Sequence, residues 1–475
     1  MSRYEELDSF LENHKRDYEE ISDRIWAFAE PRFREYRSSA LQQEYLGKHG
    51  FTVRADLAGE ETAFLAEYGS GKPVIAFLGE FDALSGLSQA ADRTERVPLK
   101  EGKEGHGCGH NLLGTAALAA AVALKDSMEQ HGIAGTIRYY GCPAEESASG
   151  KAYLVRDGYF SDCDLALTWH PSSYTKATNR ASLANMKAFF HFHGKPSHAS
   201  SAPERGRSAL DAVELMNVGA NFLREHVIPE ARIHYAITDA GGDAPNVVQG
   251  EAKVLYNVRA PKITQVQELY ERVCDVARGA ALMTGTSVDI ELAAVCSDYI
   301  PNPVILNVLD HHIKEIYPIA YEPEDYKYAD SFKQLLSQED RKDLKKFATD
   351  LYGEQKAEKL LQKAIFDLPA ELERNAGGVG STDVGDVSWV IPTGQFTGVT
   401  MAQGTPGHTW QLMAQGKSEL AHKGLLAAAK VLARAGYDFL TKPELVEEAS
   451  EAFKESLGGE VYPNLLPEDM KPKIW

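Results

Sequence analysis

Three histidines, one cysteine and one glutamate stand where short apolar runs give way to turns rich in glycine and proline. They are Cys108 and His110 in His-Gly-Cys-Gly-His-Asn, Glu146 after Glu145, His170 in Thr-Trp-His-Pro, and His408 in Pro-Gly-His-Thr-Trp. One thiolate, one carboxylate and three imidazoles are donors enough for two divalent cations held side by side. Such a pair polarises a carbonyl and makes hydroxide available at neutral pH, which is the chemistry that cleaving an amide requires. Metal-dependent amide hydrolysis is the leading reading.

Taken singly, each motif also has a plainer account. Gly107 and Gly109 let the backbone approach an ion, and a helix N-terminus favours a thiolate, yet Cys108-Gly109-His110 alone also fits a free cysteine near a loop histidine. Glu145 and Glu146 follow Cys142-Pro143-Ala144. In a regular strand two neighbours face opposite ways, so they share one ion only from a loop. There one carboxylate ligates while the other stands beside a water as general base. The same pair on an open surface is simply solvated. His170 ends the predicted strand Leu165–Trp169, a placement that suits a site at the carboxyl edge of a sheet. A structural histidine fits there equally, and His408 has the same ambiguity. Asp82, just past the predicted strand Val74–Leu78, is placed to accept the second N–H of a ligand imidazole, or merely to shape a turn.

These residues need elements to position them. From Tyr4 to about Lys48 apolar residues recur at helical spacing, with a break at Pro31. Phe51–Leu57, Thr62–Tyr68, Val74–Leu78, Thr136–Cys142 and Leu165–Trp169 read as strands. Leu112–Gln130 reads as a helix, capped by Asn111 and ended by Gly132. Alternation of this kind predicts an α/β domain with a mostly parallel central sheet. Near Asn179 the texture changes. Ala188–Phe192, Arg232–Thr238, Val247–Val258 and Ser287–Ala293 read as strands, and Ser208–Glu225 and Thr264–Met283 as helices. That β-α-β-β-α-β order describes a compact α+β, ferredoxin-like unit. Candidate ligands occur on both sides of it, so it is expected as an insertion over 181–295. The catalytic domain then comprises 1–180 and 296–475, with a charged helical insertion over about 313–366.

The 475 residues are too many for one ordinary core, which agrees with two domains. A net charge of −19 excludes a nucleic-acid footprint, and it means that an anionic substrate needs locally placed cations. Cys108, Cys142, Cys163, Cys274 and Cys296 are odd in number and show no repeating spacing, so a reducing compartment is expected. The charged N-terminus has no apolar core of a signal peptide, and Leu112–Leu124 is only long enough for a buried helix. These features predict a cytoplasmic protein with no membrane partner.

In combination the motifs are distinctive. GKPVIAFLGEFDALSGLSQ, GHGCGHNLLGTAALAAA, YYGCPAEE, GRSALDAVELM, APNVVQGEAKVLYNVRAP, STDVGDVSW and GTPGHTWQ resemble the M20 metallopeptidase family, in its amidohydrolase branch with the auxin-conjugate hydrolases. The resemblance spans most of the chain, weakening over about 313–366 and after Lys442. It implies a zinc-peptidase-like catalytic domain with a lid or dimerisation domain inserted. It makes Cys108, His110, Glu146, His170 and His408 the ligands of two divalent ions per site, Mn2+ or Zn2+. Glu145 becomes the general base and Asp82 an outer support. His198, in Gly194-Lys195-Pro196-Ser197-His198-Ala199, would reach the site of a neighbouring subunit and hold the oxyanion. Asn246 and Arg259 would bind the substrate carboxylate, although their spacing puts them on opposite faces of one continuous strand. The implied substrate is an N-acyl amino acid, with an aromatic acyl group and an acidic amino acid. The implied assembly is a homodimer or a heterodimer with a homologous subunit. Many members of the branch have aspartate where this chain has Asn111.

Two other readings stand beside this one. The chain can be read as a scaffolding subunit for a homologous catalytic partner, though every ligand and the base are present. Cys108 can instead be read as a nucleophile activated by histidine, as in thiol amidases, which leaves Glu146 and His408 without a role.

Overall fold

The computed structural model describes residues 2–377 and 380–474. In chain order the strands are β1 Thr52–Leu57, β2 Glu60–Ser70, β3 Val74–Glu80, β4 Gly135–Cys142, β5 Leu165–Ser172 and β6 Lys176–Ala177. They continue with β7 Ala184–His193, β8 Ser197–His198, β9 Arg232–Asp239, β10 Val247–Val248, β11 Glu251–Ala260, β12 Ser287–Cys296 and β13 Thr393–Val399.

Seven strands form the central sheet in the order β1-β2-β4-β3-β5-β13-β6. Its middle, β4-β3-β5-β13, is parallel, and β1, β2 and β6 add antiparallel edges. Every residue of β3 is buried, which explains its unbroken apolar run between helical layers. Fully burying side chains such as Ile75, Phe77 and Leu78 contributes roughly 1.5–3 kcal/mol apiece. The alanine-rich helix His110–His131 packs on β3 and on the helix Glu419–Thr441. Small side chains let these layers approach closely.

Gly132 ends that helix in the left-handed conformation, as its position predicts. The start differs from expectation, because Gly109 is the N-cap and Asn111 lies inside the first turn. Its buried amide donates to the Ser22 hydroxyl and the Gly416 carbonyl. Asn111 therefore ties the helix to two distant segments.

The second sheet is antiparallel, ordered β12-β7-β11-β9, with helices Ala209–Leu223 and Ile263–Thr284 on one face. Alternate residues Ala252, Val254, Tyr256 and Val258 are buried toward those helices. The strand expected over Val247–Val258 is two pieces. Val247 pairs with His198 and Val248 with Ser197 in a separate ribbon, and the chain re-enters a sheet only at Glu251. Asn246 thus lies in the turn just ahead of that ribbon, outside the sheet that carries Arg259, which removes the conflict of faces. Helices Pro323–Lys333, Gln338–Tyr352 and Glu354–Leu360 occupy the charged segment over about 313–366, helical as its pattern predicts. Among the described residues no helix is long and apolar enough to cross a membrane.

Candidate active site

Side chains from five separate segments meet at the carboxyl edge of the central sheet. β3 runs into Asp82, the turn ahead of the long helix carries Cys108 and His110, and the short helix Glu145–Ala148 follows β4. His170 lies within β5, two residues before its end, so that strand is longer than its sequence predicts. His408 arrives on the loop after β13, and its N–H donates to the Gly107 carbonyl at 2.9 Å.

The local backbone is unusual. Gly109 has φ +77, and a Cβ there would meet the Pro171 ring at 2.9 Å. Ala144, Ser149 and His408 are left-handed without being glycine, with φ of 59, 57 and 56. Such conformations cost of order 1–3 kcal/mol each and persist only when the surroundings fix them. Ala144 is fixed by donating its N–H to Glu35 at 3.0 Å. The first two bracket the Glu145–Glu146 turn, so strain is concentrated where the carboxylates are aimed.

The donor atoms face one another. Cys108 Sγ lies 3.4 Å from His170 Nε2. His408 Nε2 is 3.3 Å from one Glu146 oxygen, and His110 Nε2 is 4.0 Å from the other. Two triads emerge, Cys108–His110–His170 and Cys108–Glu146–His408, each with its atoms within 4.8 Å of one another. They share the thiol. The Nδ1–H of His110 donates to Asp82 at 2.8 Å, and that of His170 to the Pro171 carbonyl at 2.8 Å. Both rings therefore turn an Nε2 lone pair inward. His110 Nε2 and Glu146 Oε1 are buried without a hydrogen-bond partner. Buried polar atoms without a partner, one on an imidazole oriented from behind and one on a carboxylate, fit a pair of cations. Asp82 also accepts the Glu146 N–H at 3.0 Å, so one carboxylate orients a donor of each triad.

Electrostatics follow from burial. Burial pushes the Glu145 carboxyl well above its usual range, and the charges of Glu80 and Glu146 add to this. Burial likewise raises Glu146 and the Cys108 thiol. It works against protonation of His110, but Cys108 and Asp82 outweigh it and hold that ring well above the usual histidine value. His170 is held below, by burial first and then by His110. A cation among these donors inverts the balance for the thiol, because a coordinating thiol is deprotonated.

Three charged groups that the sequence did not single out lie directly behind the site. Lys151 is 0% exposed, with Nζ at 2.6 Å from Glu80 and 2.5 Å from Asp383. The other Glu80 oxygen is 3.3 Å from His110 Nε2. The signal available was that Glu80 ends a wholly apolar strand, a costly position for an unpaired charge.

In front lies a pocket of about 460 Å³ lined by Cys108, Glu145, Glu146, His170 and His408. Arg259 also lines it, whereas His198 and Asn246 do not. These two sit exposed on the β8–β10 ribbon, where the Ala199 N–H donates to the Asn246 carbonyl at 2.9 Å. His198 Nδ1 accepts the N–H of Ser200 and of Ser201, each at 3.3 Å, leaving Nε2–H pointing outward as a donor. Leu351 from the helix Gln338–Tyr352 reaches the pocket wall.

Fold and donor set together define a metal-dependent hydrolase. The profile described as Peptidase family M20/M25/M40 matches residues 76–470, and the chain belongs to that family, whose members hydrolyse amide or peptide bonds. It is 42% identical over 473 residues to the B subunit of p-aminobenzoyl-glutamate hydrolase from Escherichia coli strain K12, covering 99% of this chain and 98% of that one. It is 29% identical over 408 residues to Xaa-Arg dipeptidase of Mus musculus, covering 83% and 78%. Among solved structures it resembles the Bacillus subtilis YXEP protein, described as a dinuclear metal binding peptidase from the M20 family. The TM-score is 0.53 at 16% identity, with 92% of this chain and 99% of that chain covered, which shows a shared fold.

Proposed function

We propose that this chain hydrolyses the amide bond of an N-acyl amino acid, and that p-aminobenzoyl-glutamate, cleaved to p-aminobenzoate and glutamate, is its substrate. The observation that carries the class is the pair of donor triads joined at Cys108 beside the buried Glu145. The name of the 42% identical relative supports the substrate, and with it the use of a folate breakdown product.

Cys108, His110 and His170 would hold one divalent ion, and Cys108, Glu146 and His408 the other. Bound there, manganese or zinc would polarise the amide carbonyl and bring the pKa of a water to about 7. Glu145 takes the proton of the attacking water and passes it to the leaving nitrogen as the C–N bond breaks. Burial favours the protonated form of its carboxyl over the usual balance, which suits it to hold the proton before passing it on. Asp82 keeps His110 and Glu146 aimed throughout. Arg259 clamps a substrate carboxylate. His198 and Asn246 act on the pocket of an adjoining chain, with the outward Nε2–H donating to the oxyanion. That role requires a second copy or a homologous subunit. The 42% identical relative is named as one of two subunits of its enzyme, which favours the homologous subunit.

The test is an assay of the purified, metal-reconstituted chain on a panel of N-acyl amino acids, alone and with a homologous subunit. Free glutamate should be released from p-aminobenzoyl-glutamate, and Glu145→Ala should lower the rate by about 10²-fold or more. A scaffolding chain would be indifferent to that substitution, and such indifference would end the proposal.

A further inference from the structure

Two cations on the pocket wall form no ion pair among the described residues, although Glu145, Glu146 and Asp383 line the same pocket. β7 and β11 pair with Asn185 opposite Arg259 and Lys187 opposite Asn257. Their neighbours Met186, Ala188 and Val258 are buried toward the helical layer, so these four polar side chains emerge on the opposite face. Asn185, Lys187 and Arg259 all line the pocket that contains Glu145. The Lys187 ammonium has one hydrogen bond, to the Ser147 carbonyl at 3.2 Å in the short helix that carries Glu145. Arg259 reaches the Ser381 hydroxyl at 3.5 Å. Among the described residues neither cation pairs with a carboxylate, in a chain with 69 acidic side chains. Asn185 is only 4% exposed, and its Oδ1 has no donor.

Burial holds the Lys187 ammonium below its usual pKa, and the nearby Arg259 charge adds to this. Two like charges on one partly buried wall repel each other and lose solvation, and an anion that bridges them reverses both effects. One carboxylate would satisfy Arg259 alone. The separate ammonium, on the adjacent strand two residues beyond Arg259's partner Asn185 and beside the Glu145 helix, calls for a second.

We infer that Lys187 and Arg259, with Asn185 beside them, form a subsite for two carboxylates, so that the pocket selects a dicarboxylic amino acid over its neutral amide. The assignment rests on the proposed hydrolysis only for which half of the substrate lies here. It sets this pocket apart from the specificity named for the Xaa-Arg relative, since a terminal arginine would bring a third cation to the wall.

The experiment measures binding apart from turnover. Metal-loaded Glu145→Gln chain is titrated calorimetrically with p-aminobenzoyl-glutamate and with p-aminobenzoyl-glutamine. The glutamate ligand should bind about 30-fold tighter, as expected when a charge-assisted contact is replaced by a neutral one. Lys187→Met, made in the same background, should bring that ratio to within about threefold, and Lys187→Arg should keep most of it. General damage to the fold lowers both affinities together and leaves the ratio alone, and Lys187→Gln supplies a second neutral variant. A parent ratio near one, or a ratio unmoved by Lys187→Met and Lys187→Gln, overturns the inference. Turnover by the chain with Glu145 intact is read in parallel. Selective binding without turnover would sink the hydrolase reading alone, and turnover with an unmoved ratio would sink the subsite alone.

Discussion

Replacing Lys151 by methionine tests whether the charge network behind the site is as dry as its geometry says. The ammonium lies 2.6 Å from Glu80 and 2.5 Å from Asp383, and no member of the trio is more than 2% exposed. The Lys151 N–H donates to the second Asp383 oxygen at 2.9 Å, so backbone and side chain both depend on this pairing. Burial works against the ammonium, but Asp383 and Glu80 outweigh it and raise its pKa well above the usual value. Methionine keeps the length and removes the charge, leaving two buried carboxylates facing each other. Breaking one buried pair costs about 3–5 kcal/mol. Against a typical stability of about 5–15 kcal/mol that is a large fraction, visible as a shifted urea midpoint. Adding Asp383→Asn should return part of the loss, because the two changes act on one network and will not sum. A released Glu80 also competes for His110, whose Nε2 is 3.3 Å away. Metal retention after dialysis should therefore weaken by about 10–100-fold, the usual scale for an outer-shell change. A loss of stability below about 1 kcal/mol, or strict additivity with Asp383→Asn, would refute the picture of an unsolvated trio.

Asp82→Ala frees His110 to rotate and removes the acceptor of the Glu146 N–H, so metal affinity should fall about 10–100-fold while the fold survives; unchanged retention by elemental analysis would count against the support role. Chelation should abolish turnover and added manganese or zinc should restore it; activity that resists chelation but yields to a thiol alkylator would instead make the Cys108–His170 contact a nucleophile pair. Asp438 pins the N-terminal Tyr4 and the buried His312. Burial works against its carboxylate, but hydrogen bonds from His312, Tyr4 and Lys442 outweigh that and hold the carboxyl at about 2, below the usual 3.8. A depressed folded pKa means stabilisation present above about pH 4 and lost as pH falls toward 2, worth roughly 2 kcal/mol when complete. Asp438→Asn should therefore cost about that much at pH 7 and almost nothing near pH 2 in urea titrations.

Taken singly, the proposed donors had plain structural accounts in the sequence, and only their joint order, with the family resemblance it carries, pointed to one shared site; β3 to β5 announce themselves by composition. The charged trio was not legible. In sequence Lys151 and Asp383 look like ordinary solvated charges, and only the packed sheet shows that water is excluded from them. Lys187 was missed for a related reason. Asn185 and Lys187 interrupt the apolar alternation on the face that meets the pocket, so β7 reads from Ala188 when it begins at Ala184. The break at Gln249-Gly250 was hidden in the same way, since valines on both sides suggest one continuous strand. In each case a residue placed for binding or closure departs from the pattern that identifies its element.

The two sheets divide the labour, and the division has a consequence for specificity. All the donor atoms hang from the carboxyl edge of the central sheet and the loops around it, while Asn185, Lys187 and Arg259 hang from the antiparallel sheet. The short helix Glu145–Ala148 stands between them. It carries the proposed base and, through the Ser147 carbonyl, a contact to Lys187. The group proposed to protonate the leaving nitrogen is thereby referenced to the wall proposed to hold the leaving amino acid. Substitutions on β7 and β11 can change which amino acid is accepted while the donor set stays intact. A protein whose donor edge and facing wall hang from different sheets can share one fold with relatives named for substrates as unlike as an acyl glutamate and a dipeptide ending in arginine.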